Sequence, residues 1–388
     1  MAHSLGVDRD VDLRDDYDDV QAGSNIAGKK AAGKRLDRHV RRIEDAEVFA
    51  HPLGLPFLAA PLIAVNQRIN PGSAPDALLG ALTLVVTFAG LVLFWRLLCT
   101  VTETMRDAAL ITLCVYFGSP LWFYSRTFFT EPFTWSFAVF SVVCIVSNRM
   151  ILASFFLGLT IAMKETALLL VFAIVFGCIR ELGIRKSAVL AIGPLFFALL
   201  FAGKNYLLVG TPFSTFQTFT VGDPVGGAAG LIFDPAHGLL WFAPLLAIGS
   251  TGWLRGGRIP NSLRISAAIA FFSYFALTAA WVDWRGGSSY ATRLLLPALP
   301  ALAVPLVAFF YSLRGTKPLF FGLFLSGFIV NFCAATDPFT AFWGEPAHGL
   351  VGKNISMAVA AAFIGALLYH VVATKFPENI PEIRAENS

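Results

Sequence analysis

Apolar runs long enough to cross a bilayer recur along this 388-residue chain, and no other feature limits its fold so strongly. A helix needs roughly 17–25 apolar residues to span the hydrocarbon core. Windows of that kind lie near 74–99, 108–124, 131–147, 187–208, 237–254, 262–282, 294–313, 317–335 and 354–373. Hydrophobic residues make up 56% of the chain and charged residues 14%, too little charge to coat a soluble body of this size. The segment "HPLGLPFLAAPLIAV" (51–65) is too short and too rich in proline to cross, and reads as a re-entrant or interfacial helix. The pattern predicts an all-α membrane protein.

The charges are unevenly placed. Residues 1–52 hold 9 Lys+Arg and 11 Asp+Glu, so a polar segment precedes a transmembrane domain at 53–373 and a short tail at 374–388. A net charge of +4 is too small to imply nucleic acid. "GKKAAGKR" (28–35) approaches a phosphate-binding loop, but Arg35 stands where the metal-binding hydroxyl belongs and no strand precedes it. "GDPVGGAAG" (222–230) reads as a flexible loop. The five cysteines (Cys99, Cys114, Cys144, Cys178 and Cys333) sit inside apolar runs without a CxxC, which suits packing. No metal ligand set is indicated. No cofactor is specified either, and a divalent metal stays open.

Lys and Arg fix the expected sidedness. Arg106, Arg149, "RELGIRK" (180–186), "RGGRIPNSLR" (255–264), "RGTK" (314–317), Lys375 and Arg384 fall on one set of loops, cytoplasmic by the positive-inside bias. Loops 124–131, 209–236, 282–293 and 336–353 then face outward. Trp122, Trp135, Trp241, Trp281, Trp284 and Trp343 gather near that boundary as an aromatic belt would. Between Arg149 and Arg180 lie thirty apolar residues interrupted by Lys164 and Glu165. With both flanks cytoplasmic, the run must go up and return, as two arms of roughly 21 Å. Its tip would carry Lys164 toward the outer face. Counting this hairpin as two, about eleven membrane helices lead from an external N-terminal segment to a cytoplasmic tail.

The unusual polar residues converge on the outer side. "YSRTFFTEPF" (124–133) offers Arg126 and Glu131, the latter at a helix start where an acid is favoured by the dipole. "WVDWRGGSSYATRLLLPALP" (281–300) adds Asp283, Arg285, Tyr290 and Arg293, and "FDPAHGLLWF" adds Asp234 and His237. Lys164 and Glu165 point about 100° apart on a helix, so they pair poorly with each other. Ionisable residues at membrane depth mark functional sites by default. Cations there would hold a lipid phosphate, and a carboxylate would accept the proton of an attacking hydroxyl.

In this order, "RTFFTEPF", "AMKETALLL", "NYLLVGTPF", "FDPAHGLLWFAPLL" and "WRGGSSYATRLLLPALP" resemble bacterial polytopic glycosyltransferases of the GT-C type. Protein O-mannosyltransferases and lipid A aminoarabinose transferases are relatives. "HSLGVDRDVDLRDDY" and "HPLGLPFLAAPL" resemble the segment after the first span of that family, so the resemblance covers nearly the whole chain. It implies a GT-C-like bundle in the plasma membrane with its active side outside the cytoplasm. It further implies inverting transfer of a sugar from a polyprenyl-phosphate donor to an acceptor whose class (protein, glycan or lipid) stays open. In that pattern Lys164, with Arg293, Arg285 and Arg126, would hold the donor phosphate. Glu131 and Asp283 would be catalytic, and Tyr290 and His237 would line the substrate site.

The family pattern also places a cytoplasmic N-terminus, a first span and an acidic motif supplying the general base ahead of the first external loop. Here the chain begins past that point, and the span count is odd. One helix and the base are therefore expected upstream of Met1, through a start placed at an internal Met or a fragment lacking activity. A polytopic transporter, or a lipid-linked glycan flippase or polymerase, would use similar outer cations and stays open.

Overall fold

A computed structural model describes residues 40–43, 46–49, 52–70, 76–212, 219–254, 259–287, 289–312 and 317–336. The span expected near 354–373, the tail and most of segment 1–52 lie outside these residues. After a two-stranded antiparallel hairpin, β1 (Val40–Ile43) and β2 (Ala46–Phe49), the described chain is helical. The helices are α1 (Gly54–Ile69), α2 (Asp76–Leu98), α3 (Met105–Phe117), α4 (Thr130–Val146), α5 (Met150–Met163), α6 (Leu168–Leu182), α7 (Ile184–Val209), α8 (Pro224–Phe233), α9 (Asn261–Ala280), α10 (Leu299–Ser312) and α11 (Lys317–Thr336). Among the described residues, five helices are long and apolar enough to cross a membrane: Ala77–Leu98, Ile184–Leu207, Asn261–Ala280, Arg293–Ser312 and Lys317–Ala334. The fourth, α10 with the 3-10 turn before it (Arg293–Ala298), is 72% buried and forms the centre, whereas α7 is 17% buried and lies at the rim.

The hairpin expected around Lys164 is present. Pro194 inside α7 has no N–H, so the carbonyl of Leu190 loses its helical donor. Ser154 of α5 supplies the replacement, its hydroxyl donating to Leu190 O at 3.2 Å while accepting from Gly193 N at 2.7 Å. One turn further along, Gly158 abuts Gly193 and Phe197. Residue numbers rise together on the two helices, so α5 and α7 run parallel and α6 must return between them. At the far end Lys186 Nζ donates to Asn148 Oδ1 at 3.0 Å, closing the base of the hairpin. α4 runs antiparallel to α5, with Phe137 and Phe140 against Phe156. That direction brings the start of α4 to the tip of the hairpin.

Three sequence expectations are corrected. The segment read as a loop at 222–230 holds α8, started by Asp223, whose side chain accepts from Val225 N at 3.0 Å, and by Pro224. Its glycines weaken helix propensity, yet they allow close approach: Gly227 lies on the Ala279 carbonyl and Gly230 on the Trp284 ring. The span expected at 237–254 is not one helix but three short pieces, Leu239–Phe242, Pro244–Gly249 and Ser250–Leu254. Pro244 disfavours helical geometry at Ala243, which sits at φ −146°, ψ 56°. The span at 108–124 likewise ends at Phe117, and a separate turn, Leu121–Tyr124, follows Pro120.

Ser154→Ala leaves the Leu190 carbonyl buried without a donor and is expected to cost about 1–3 kcal/mol in unfolding. In a Pro194→Ala background, where the substituted alanine restores the helical N–H, the same change should cost clearly less. Thermal unfolding of the four purified proteins checks this.

Candidate functional site

Backbone geometry delivers three charged residues to one place. Phe129 is extended at φ −112°, ψ 158°, and α4 begins after it with Glu131 in its first turn. Lys164 is extended at φ −153°, ψ 121°, ending α5 before the 3-10 turn Glu165–Ala167. Ala291 takes φ 52°, a left-handed conformation that costs a residue bearing Cβ about 1–2 kcal/mol, two residues before Arg293.

Glu131, 3% exposed, is the centre. Its Oε1 accepts from Lys164 Nζ at 2.8 Å, and Arg293 Nε stands 3.4 Å from the same oxygen. Thr130 Oγ1 donates to Oε2 at 3.3 Å. The guanidinium of Arg293 lies over the Phe129 ring at 4.8 Å, and its Nη2 donates to Gly286 O at 3.3 Å. The Lys164 and Arg293 side chains are 17% and 20% exposed. Lone charges could not be withdrawn from water this far, and the two cations flanking the carboxylate offset its desolvation. One positive charge remains over. Two donors on adjacent residues are unspent among the described residues: the buried Thr292 Oγ1 has no hydrogen-bond partner, nor has Arg293 Nε, whose approach to Glu131 is too poorly directed for one.

Tyr290 is 7% exposed, held between the rings of Phe123 (4.5 Å) and Phe242 (5.1 Å). Its carbonyl accepts from the Tyr124 hydroxyl at 2.7 Å, and its own hydroxyl donates to Asn331 Oδ1 at 3.1 Å. On the Lys164 side, Thr166 and the buried Tyr274 share a hydrogen bond of 3.0 Å between hydroxyls, tying the 3-10 turn to α9.

Of the remaining expected residues, Arg285 and His237 meet at Asp234 as a second group, while Asp283 and Arg126 stand separately. Arg285 lies 3.6 Å from Asp234 and over the Trp284 ring at 4.6 Å, and is 55% exposed, so it is engaged away from Lys164. Asp234 Oδ1 accepts from the backbone N–H of Ala236 and His237 and stands 3.3 Å from His237 Nδ1. His237 lies in a turn outside the spanning helices, where burial lowers its proton affinity below the ordinary range and Asp234 pulls the other way. Asp283 Oδ1 accepts from Gly287 N at 3.0 Å, closing the turn whose two glycines, Gly286 and Gly287, have φ near 70°. Arg126 is exposed, with its carbonyl facing Gly80 of α2. Among the described residues no three His, Cys, Asp or Glu side chains gather as a metal site would require.

No protein-family model, curated protein or solved structure matches this chain.

Asn331, Tyr124, Tyr274, Thr292 and Phe129 were not singled out from the sequence. Asn331 left one signal there, an amide in the apolar run "GFIVNFCAA". The others look like ordinary residues of an outer boundary.

Removing the central carboxylate should expose the repulsion it offsets. Glu131→Gln is expected to destabilise the protein by about 3–5 kcal/mol, the cost of stranding buried charges. Glu131→Gln combined with Lys164→Met should be more stable than Glu131→Gln alone. Denaturation midpoints of both variants in one detergent give the comparison.

Proposed function

We propose that this chain is a membrane glycosyltransferase that moves a sugar, with inversion, from a polyprenyl-phosphate donor to an acceptor outside the cytoplasm. In this reading a GT-C-like bundle of about eleven helices sits in the plasma membrane, its site end outward and its C-terminus in the cytoplasm. The basic residues Arg149, Lys186 and Arg264, which lie at the end away from the site, support that orientation.

The observation that carries the proposal is the Lys164–Glu131–Arg293 cluster. Three charges are withdrawn from water where a helix breaks, with one positive charge and two buried donors left over. A phosphate is the anion that lipid headgroups present. As the bond between the sugar C1 and the phosphate oxygen breaks, negative charge grows on the departing phosphate. Cations already held in place stabilise that charge without reorganising. Glu131 sets the spacing of Lys164 and Arg293. The attacking acceptor hydroxyl must pass its proton to a separate carboxylate, because Glu131 is already held between Lys164 and Arg293. Tyr290 takes a supporting place behind Arg293 rather than one against the acceptor, since its ring, hydroxyl and carbonyl are all engaged within the protein.

Lys164→Ala is expected to lower glycosyl transfer at least about a hundredfold, the loss typical of removing one donor to developing charge. The measurement is transfer from a radiolabelled polyprenyl-phosphate sugar in membranes carrying equal amounts of each protein. Transfer by the variant at the unaltered rate contradicts the proposal.

A further inference from the structure

Asn331 lies fully buried in α11, 0% exposed, far along the chain from every charged residue of the site. A primary amide in an apolar interior is costly unless its donors and acceptor are spent, and those of Asn331 are. Nδ2 donates to Gly327 O at 2.7 Å, one turn back on its own helix, and to Phe242 O at 2.8 Å. The Phe242 carbonyl is available because the chain breaks at Ala243: Leu246 N turns to Ala243 O instead. Oδ1 accepts from the Tyr290 hydroxyl at 3.1 Å. One side chain thus joins α11, the broken segment at 239–249 and the turn that leads into α10.

That turn is the one that presents Arg293. Tyr290 is fixed at its ring by Phe123 and Phe242, at its hydroxyl by Asn331 and at its carbonyl by Tyr124. The next residue, Ala291, is the left-handed one, followed by Thr292 and Arg293. Tyr124 also meets Phe129 edge to face at 5.5 Å, and Phe129 is the ring on which Arg293 rests. A left-handed alanine persists only where its surroundings over-determine it, and here the restraint ends on the Asn331 amide.

We infer that Asn331 is a positioning residue: through the Tyr290 hydroxyl it holds the Ala291 turn so that Arg293 stays within ion-pair distance of Glu131. It touches no substrate. The consequence for catalysis rests on the transferase reading given above, but the positioning itself does not, and the test reads Arg293 directly.

The experiment measures the rate at which phenylglyoxal, an arginine-specific dicarbonyl, modifies Arg293 in the purified full chain, site by site by mass spectrometry. Tyr290→Phe removes only the hydroxyl bond to Asn331 and leaves the amide's other bonds in place; Asn331→Leu removes all three. Both are expected to raise the Arg293 rate about fivefold, the factor matching one hydrogen bond of ordinary strength, while Arg285 is unchanged. Leu323→Ala, a packing change in the same helix, controls for general loosening and should leave the Arg293 rate alone. If Asn331→Leu fails to fold, Tyr290→Phe decides alone. An unaltered Arg293 rate in Tyr290→Phe overturns the inference, as does an equal rise in Leu323→Ala. A selective rise in Arg293 reactivity together with no glycosyl transfer by the unaltered protein supports the positioning and removes the transferase reading.

Discussion

The 2.8 Å bond from Lys164 to Glu131 ties together the features of this protein that composition leaves puzzling. A lysine in thirty apolar residues is tolerable only with a partner of opposite charge. The fold supplies one. The turn between α5 and α6 carries Lys164 to the end of the bundle, and the antiparallel run of α4 brings Glu131 to meet it. Arg293 then approaches the same oxygen from the centre of the bundle, and the group keeps one positive charge.

Backbone irregularities collect at that end. Lys164 is extended between two helices, Ala243 interrupts a stretch that hydropathy alone would make continuous, and Ala291 is left-handed. Inside a membrane such breaks are tolerated where side chains take over the freed backbone groups. Asn331 does so for Phe242, as Ser154 does for the carbonyl that Pro194 strands in α7. Small residues then allow the helices to close on one another, Gly193 on Ser154 and Gly252 on the Pro305 carbonyl. The arrangement joins a tightly packed frame to an end where chain direction changes often and polar side chains meet.

The helical, apolar character of the frame was legible in the sequence because bilayer thickness sets helix length, and five of the described helices are long and apolar enough to cross. The hairpin at 150–179 followed from Arg149 and Arg180 alone. α8 was missed since its glycines, read as flexibility, serve packing against Ala279 and Trp284. The interruption at Ala243 was missed because hydropathy does not register the restriction Pro244 places on the residue before it. At the site, the sequence reading set Lys164 and Glu165 apart by assuming a helix through both, whereas Lys164 is extended and its partner, 33 residues away, is visible only in three dimensions. Arg285 illustrates the converse: its charge type suggested the same cluster, while the fold engages it with Asp234 and Trp284. Asn331 was a single polar letter in an apolar span, and its role came from where α11 lies.

In the proposed function Lys164 and Arg293 form a seat for a lipid phosphate. The most direct measurement is equilibrium binding of a polyprenyl phosphate, and of the matching polyprenol lacking the phosphate, to the purified protein in lipid nanodiscs. The phosphate form is expected to bind at least about tenfold tighter, a difference of roughly 1.4 kcal/mol, and the preference to disappear when Lys164 and Arg293 are both replaced by alanine. Equal binding of the two lipids, or a phosphate preference that survives the double replacement, would contradict that reading.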